Sequence, residues 1–222
     1  MFRHIIFDCD GVLWQGTNEG YFACYHRAAV EAGIDIDMGL ARERILRSWG
    51  QSARIEVEGM IPEHPQHVDR VVAHYRRLVR SDLFLNTAKL IPGVHECLAD
   101  LKRDHRLSVI TGMNSDNLGR LLDRFELHPF FERAISTSDT DDPARQKPTG
   151  YHLRQLLDAT GLAPNEVLCV GDAMSDILMA RSQGVPIMIV LTGHLSEVEA
   201  LEQGVEYILP SMAELPAWIR KR

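Results

Sequence analysis

The stretch HIIFDCDGVLW, residues 4–14, places two acidic residues, Asp8 and Asp10, directly after a short apolar run. A short apolar run bounded by polar residues and glycine is typical of a strand buried in a parallel sheet. Carboxylates at the end of such a strand are costly unless they bind something. Gly11 follows them and lets the backbone turn sharply. The stretch therefore predicts a buried first strand that ends in a chemical site.

The composition is that of an ordinary globular domain of 222 residues, with 45% apolar and 25% charged residues. A net charge of −7 argues against a nucleic-acid or anionic-membrane partner. No apolar run reaches the roughly 18–20 residues that span a bilayer, and the run before Asp8 is too short for a signal peptide. The four cysteines lack CxxC spacing, so we interpret them as reduced thiols of a cytoplasmic protein.

Similar apolar runs recur along the chain and are separated by segments with helical periodicity. The runs are 4–7, 107–110, 134–136, 167–170, 187–191 and 206–209. Several of the helical segments stop at a glycine, such as Gly161 or Gly184. This alternation predicts an α/β fold, with a Rossmann-like parallel sheet and helices on both faces.

One long segment interrupts the alternation. Residues 15–88 contain helical patterns, such as 21–32 and 66–80, and no convincing strand. We therefore predict a core domain formed by residues 1–14 and 89–222, with a small α-helical cap domain, residues 15–88, inserted into it.

Ligands of parallel α/β sheets bind beyond the carboxyl ends of the strands. Polar residues follow four of the predicted strands, or lie in the loop beyond them: Asp8 and Asp10, then Thr111, Gly112 and Asn114, then Lys147, then Asp172 and Asp176. Four carboxylates that lie close together cannot all ionise without a cation. Oxygen ligands without histidine or cysteine favour Mg²⁺. The four acids therefore predict a magnesium site.

The other polar residues at these strand ends and loops, Thr111, Gly112, Asn114 and Lys147, are of types that bind a phosphate group. A threonine hydroxyl and the following amides can hold phosphate oxygens, and a lysine can neutralise their charge. One N-terminal carboxylate could then attack phosphorus to form an aspartyl-phosphate, while the other acts as general acid and base. The sequence thus predicts chemistry on a small phosphorylated metabolite.

The pattern resembles the haloacid dehalogenase (HAD) superfamily, in the phosphatase branch with a helical cap inserted after the first strand. The motifs that carry the resemblance are DCDGVL (8–13), VITGMNS (109–115), KP (147–148) and GDAMSD (171–176), in the family's order. Segments 90–102, 190–194 and 204–216 extend it over nearly the whole chain. Segment 90–102 resembles the family's re-entry helix after the cap, and segments 190–194 and 204–216 resemble the tail of phosphoglycolate phosphatase-like members. The branch that the chain resembles is the phosphoglycolate phosphatase and beta-phosphoglucomutase-like one.

The resemblance implies a role for each matching residue. Asp8 would be the nucleophile and a metal ligand, and Asp10 the acid and base with its carbonyl on the metal. Thr111 and Gly112 would hold the phosphoryl group, with Asn114 nearby, and Lys147 would hold both Asp8 and the phosphate. Asp172 would bind the metal directly, and Asp176 would act in or beside its water shell.

Two alternatives to a hydrolase stay open. A sugar-phosphate mutase of this fold would have a histidine early in the cap, where this chain reads TNEGYF (17–22). A protein that binds a phosphometabolite without turnover would keep the same residues. Dehalogenation is disfavoured, because the acid at Asp10 has no task when halide leaves.

Substrate choice would fall to residues in or near the cap. The candidates are Trp14, Gln15, Thr17, Asn18, Trp49, Gln51 and Arg54. Arg54 could meet a substrate carboxylate or a second phosphate. No pattern in the sequence indicates an oligomeric state.

Overall fold

The computed structural model describes residues 2–49, 52–140 and 142–221. The chain divides into two compact units. The first comprises Met1–Gln15 and Leu90–Arg222, and the second comprises Gly16–Lys89.

The sequence predicts a site at polar residues that end or follow three of the described strands. The described residues form eight strands. Their bounds are β1 (His4–Phe7), β2 (Trp14–Gln15), β3 (Lys89–Leu90), β4 (Arg106–Thr111), β5 (Arg133–Ser136), β6 (Val167–Gly171), β7 (Ile187–Val190) and β8 (Tyr207–Leu209). Six of them form a parallel sheet in the order β5-β4-β1-β6-β7-β8, and β2 pairs with β3. The predicted α/β fold with a Rossmann-like parallel sheet is confirmed.

The second unit is helical within the described residues. Its helices are α1 (Thr17–Glu31), α2 (Met38–Leu46), α3 (Ala53–Met60), α4 (Val68–Leu78) and α5 (Asp82–Leu85). The rings of Tyr25 and Tyr75 stack with centroids 3.8 Å apart. The Tyr25 hydroxyl donates a hydrogen bond to the buried carboxylate of Glu56. Aromatic stacking and this buried hydrogen bond join α1, α3 and α4.

The helices of the first unit separate its strands along the chain. They are α6 (Val94–Leu101), α7 (Ser115–Arg124), α8 (Tyr151–Thr160), α9 (Met174–Ser182), α10 (Glu197–Glu202) and α11 (Leu215–Ile219). Short 3₁₀ helices occur at Pro65–His67 in the second unit and at His128–Phe130, Pro143–Arg145, Pro164–Glu166 and Met212–Glu214 in the first. The apolar residues of α8 and α9 pack against the central strands, with Leu153, Ile177, Ile6 and Cys169 in one buried cluster.

All four cysteines are free and buried. In the described part of the chain, we find no helix whose length and apolar character would let it cross a membrane.

Candidate active site

Parallel pairing brings the ends of three central strands together at one edge of the sheet. Phe7, the last residue of β1, lies in register with Val109 of β4 and Val170 of β6. The Asp8 amide then donates to the carbonyl of Val170 at 2.9 Å, which extends the pairing by one residue. Because β4 ends two residues and β6 one residue beyond this register, the residues that end or follow β1, β4 and β6 share one edge.

Three carboxylates form a buried cluster at this edge. One oxygen from each of Asp8, Asp172 and Asp176 lies within 4.8 Å of the other two. Burial raises the pKa of Asp8 to about 7; the Lys147 ammonium opposes this rise, and the neighbouring carboxylates add to it. The donor set is hard oxygen, which fits Mg²⁺. A divalent cation here would offset the repulsion between the carboxylates.

Lys147 bridges two of these acids. Its Nζ donates to Asp8 Oδ1 at 2.9 Å and to Asp176 Oδ1 at 2.6 Å. Burial alone would lower the pKa of Lys147, but Asp176 and Asp8 raise it above its ordinary value. The Lys147 amide also donates to the buried Thr137 hydroxyl at 3.3 Å, which fixes the backbone beside the side chain. The lysine is therefore charged and oriented toward the cluster.

Asp176 is held by protein donors at both oxygens. It lies in the first turn of α9, where Oδ2 accepts from the amides of Asp172 at 3.3 Å and Ala173 at 3.2 Å. Its Oδ1 accepts from Lys147, as described above. An acid at this helical position satisfies amides that have no partner within the helix. Asp176 thus supports the loop that carries Asp172.

Asp172 contacts a loop that lies outside the predicted site. Its Oδ2 accepts from the His194 amide at 2.9 Å and lies 2.8 Å from His194 Nδ1. The hydrogen bond with Asp172 raises the pKa of His194. Thr192, Gly193 and His194 follow the apolar run 187–191 directly, so the sequence places them at a strand end but does not indicate that the loop folds back onto Asp172.

Asp10 receives its support from Trp14. The indole Nε1 of Trp14 donates to Asp10 Oδ1 at 2.9 Å. The indole is fully buried, and its ring lies 6.0 Å from that of Phe125. The enclosed ring, with its N–H donated to Asp10, thus orients that carboxylate. Contact of Trp14 with a substrate stays a prediction.

The predicted site residues at and just after the end of β4 are Thr111, Gly112 and Asn114. Thr111 is buried at the strand end, and its Oγ1 accepts from the Met113 amide at 3.3 Å. A Cβ built on Gly112 would meet no atom within 4 Å, so open space lies beside this backbone. Asn114 caps α7, because its Oδ1 accepts from the Asn117 amide at 3.0 Å. The Asn114 oxygen is thus engaged in the cap, whereas ligand contacts of Thr111 and Gly112 stay a prediction.

The substrate-contacting candidates other than Trp14 are placed as follows. Gln15 is exposed at the end of β2. In the helical unit, Arg54 is paired with Glu58 at 3.1 Å and with Asp69. Thr17 is buried, Asn18 is half-buried, and Trp49 packs on Phe22 with ring centroids 4.8 Å apart. Gln51 lies outside the described residues. Contact with a substrate stays a prediction for Gln15 and Arg54.

Comparisons with known proteins identify the family of this chain. The model of the haloacid dehalogenase-like hydrolase family matches residues 5–190. A phosphoglycolate phosphatase from Caulobacter vibrioides is 35% identical over 127 residues, which cover 56% of this chain and 52% of that protein. Another from Rhodospirillum rubrum is 26% identical over 98% of this chain and 90% of that protein.

A solved structure from Thermotoga maritima, described as a beta-phosphoglucomutase, superposes with a TM-score of 0.75. It is 22% identical and covers 99% of both chains. At that identity the similarity supports the fold alone.

Fold and site together define an α/β enzyme whose acidic residues lie at the carboxyl edge of a parallel sheet. Because the family model spans most of its length, the chain belongs to the haloacid dehalogenase-like hydrolase family. Within that family it is a phosphatase.

Proposed function

We propose that the protein hydrolyses a small phosphomonoester with Mg²⁺, through an aspartyl-phosphate on Asp8. The observation that carries the proposal is the Lys147 bridge between Asp8 and Asp176 beside Asp172. One ammonium cannot balance three ionised carboxylates, so the cluster retains negative charge for a divalent cation. The same lysine keeps the Asp8 carboxylate oriented for attack.

Asp8, Asp172 and Asp176, with the backbone carbonyl of Asp10, would hold the metal ion. When bound, Mg²⁺ neutralises charge on the phosphoryl oxygens. Thr111, the Gly112 amide and Lys147 would hold those oxygens from the protein side. The position of Thr111 at the end of β4, next to β1, and the contact of Lys147 with Asp8 support this division of tasks.

The two N-terminal acids then act in sequence. A carboxylate oxygen of Asp8 attacks phosphorus, and the bond from phosphorus to the substrate's ester oxygen breaks. Asp10 gives its proton to the leaving oxygen, so an alcohol departs. Asp10, now ionised, takes a proton from a water molecule as that water attacks phosphorus. Inorganic phosphate leaves and the Asp8 carboxylate is restored. The Trp14 hydrogen bond keeps Asp10 in place for both steps.

The relatives' names make phosphoglycolate the first substrate to test. Residues 15–88 would form the cap that selects the leaving group, with Gln15 and Arg54 as candidates to contact it. An arginine can pair with a carboxylate of the substrate in a bidentate manner. The buried, unpaired thiols are in keeping with a cytoplasmic location.

The test is phosphate release from a panel of small esters, measured with Mg²⁺ and with chelator. The panel contains phosphoglycolate, hexose phosphates, nucleotides and p-nitrophenyl phosphate. We expect metal-dependent release that Asp8→Asn abolishes, because an amide does not attack phosphorus. Asp158→Asn, an exposed acid on α8, serves as the matched control and should keep full activity.

Release that persists in Asp8→Asn would contradict the aspartyl-phosphate. Isomerisation of a hexose phosphate without phosphate release would identify a mutase instead. Absence of both activities, with retained ligand binding, would identify a binding protein.

A further inference from the structure

We propose that His194 is a positioning residue that holds the Asp172 carboxylate in its metal-binding orientation. The inference rests on the Mg²⁺ site of the proposed function. It assigns a role to a loop, residues 192–194, that the acidic motifs of the chain do not include.

Two donors of His194 converge on one oxygen. The amide lies 2.9 Å from Asp172 Oδ2, and the ring Nδ1 lies 2.8 Å from the same atom. Because a carboxylate only accepts hydrogen bonds, the ring donates through Nδ1–H. A carboxylate with two donors on one oxygen cannot rotate freely, so its second oxygen keeps a fixed direction. Such outer contacts orient metal ligands and raise metal affinity.

Hydrogen bonds from the loop and from Leu195, which follows it, hold the loop against Asp172. β7 pairs with β6, and Ile189 lies in register with Gly171, so the loop after β7 begins beside Asp172. The Leu195 amide donates to the Asp172 carbonyl at 2.9 Å, and the Thr192 hydroxyl donates to the carbonyl of Gly11. A Cβ on Gly193 would lie 1.8 Å from Asp172 Oδ2, so only glycine permits this approach.

The imidazole can be replaced without opening a cavity in the core. The His194 side chain is 41% exposed, whereas that of Asp172 is 2% exposed. A change at position 194 therefore removes the ring donor and leaves the buried carboxylate and the backbone amide in place. This makes the ring's contribution separable from folding.

The experiment is calorimetric titration of Mg²⁺ into the substrate-free full chain. We expect His194→Ala to raise the Kd for Mg²⁺ about tenfold. This is the lower end of the range for losing a group that supports a metal ligand, because the amide donor remains. His194→Asn places an N–H at the position of Nδ1 and should restore affinity. His194→Gln places its N–H at the position of Nε2 and should not.

His128→Ala provides the matched control. His128 also pairs with a carboxylate, Asp123 at 3.2 Å, but that carboxylate is exposed and outside the cluster. Its Kd for Mg²⁺ should equal that of the natural protein. In turnover, His194→Ala should raise the Mg²⁺ concentration for half-maximal rate and leave kcat at saturating Mg²⁺ unchanged.

An unchanged Kd in His194→Ala would overturn the inference, as would equal Kd values for the Asn and Gln variants. If the natural protein bound no Mg²⁺, the metal site and this inference would fall together. If the natural protein bound Mg²⁺, and the Kd values of the variants followed the expected order, but no phosphate were released, the proposed function would fail and the role of His194 would stand. Thermal unfolding without metal verifies that each variant folds.

Discussion

At the residue scale, Lys147 carries a buried positive charge between two carboxylates. Its side chain is 7% exposed and faces Asp8 and Asp176, which are 11% and 2% exposed. Buried charges depend on their partners, because removing one partner leaves the other without compensation. Lys147 therefore contributes to the stability of the first unit by compensating these two carboxylates.

We expect Lys147→Met to lower the free energy of unfolding by about 3–5 kcal/mol at neutral pH in chelator, because the carboxylates lose their counter-charge. Phosphate release should fall at least a hundredfold, since the same ammonium orients Asp8. Urea unfolding and the phosphate assay measure the two effects. Lys221→Met, at an exposed lysine, should change neither value. A variant of unchanged stability would show that the cluster is not ionised as described.

The residues of the site differ in how far sequence could predict their place. Asp8, Thr111 and Asp172 each adjoin an apolar run, and strand pairing alone brings such positions to one edge. The contact of His194 depends on how a loop folds back after its strand, which periodicity does not encode. The position of Trp14 beside the helical insertion favours a substrate contact. The burial of its ring against Phe125 depends on tertiary packing, which the sequence pattern does not contain.

Among the elements, α7 begins shortly after Thr111 and Gly112, and Asn114 is its cap residue. Asn114 Oδ1 accepts from the Asn117 amide at 3.0 Å, and the Ser115 amide donates to Asp139 at 3.0 Å. These bonds satisfy amides that the helix itself leaves without partners. The first turn of α7 thereby fixes the chain that follows Thr111 and Gly112.

We expect Asn114→Ala to destabilise the protein by about 1 kcal/mol, the usual cost of losing a cap. Asn114→Asp keeps an accepting oxygen and should retain stability, which thermal or urea unfolding would show. The two variants also test the predicted substrate contact. If the Asn114 amide binds substrate through its N–H, Asn114→Asp will raise KM while unfolding stays normal. A stable Asn114→Ala would contradict the cap.

The observed bounds of the helices and strands show which parts of each element the apolar patterns of the sequence predict. The helical pattern at 66–80 corresponds to a 3₁₀ turn, Pro65–His67, followed by α4 from Val68, because Pro65 starts the turn. The run 107–110 extends to β4 (Arg106–Thr111), since exposed Arg106 also pairs with β1. Apolar periodicity finds buried centres, whereas strand and helix ends follow hydrogen bonds that polar residues also make.

At the scale of the whole molecule, the buried side chain of His4 makes the stability of the fold depend on pH. His4 lies at the start of the central strand β1, and its Nε2 is 3.0 Å from the Ser108 hydroxyl. Burial, with help from nearby Arg106, lowers the pKa of His4 from 6.5 to about 4. The native state therefore excludes a proton that the unfolded chain binds.

The expected effect on global stability follows from this difference. The contribution of His4 is fully present above about pH 6.5 and is lost as pH falls toward 4. It amounts to about 3 kcal/mol over that range. The variant His4→Leu with Ser108→Ala removes the titrating ring and its hydroxyl partner together. Urea unfolding at pH 7 and pH 5, in chelator, should show a smaller loss in stability for this variant than for the natural protein. Equal losses would contradict the assignment.

The burial of the four cysteines has a consequence for spectroscopy. Thiol-reactive dyes need an accessible sulfur, and Cys9, Cys24, Cys97 and Cys169 are each no more than 3% exposed. A cysteine introduced at an exposed position of each unit would thus accept a dye while the native thiols stay unlabelled. Energy transfer between two such dyes, recorded with and without a phosphate mimic, would follow any rearrangement of the helical unit and the sheet unit in the otherwise natural chain.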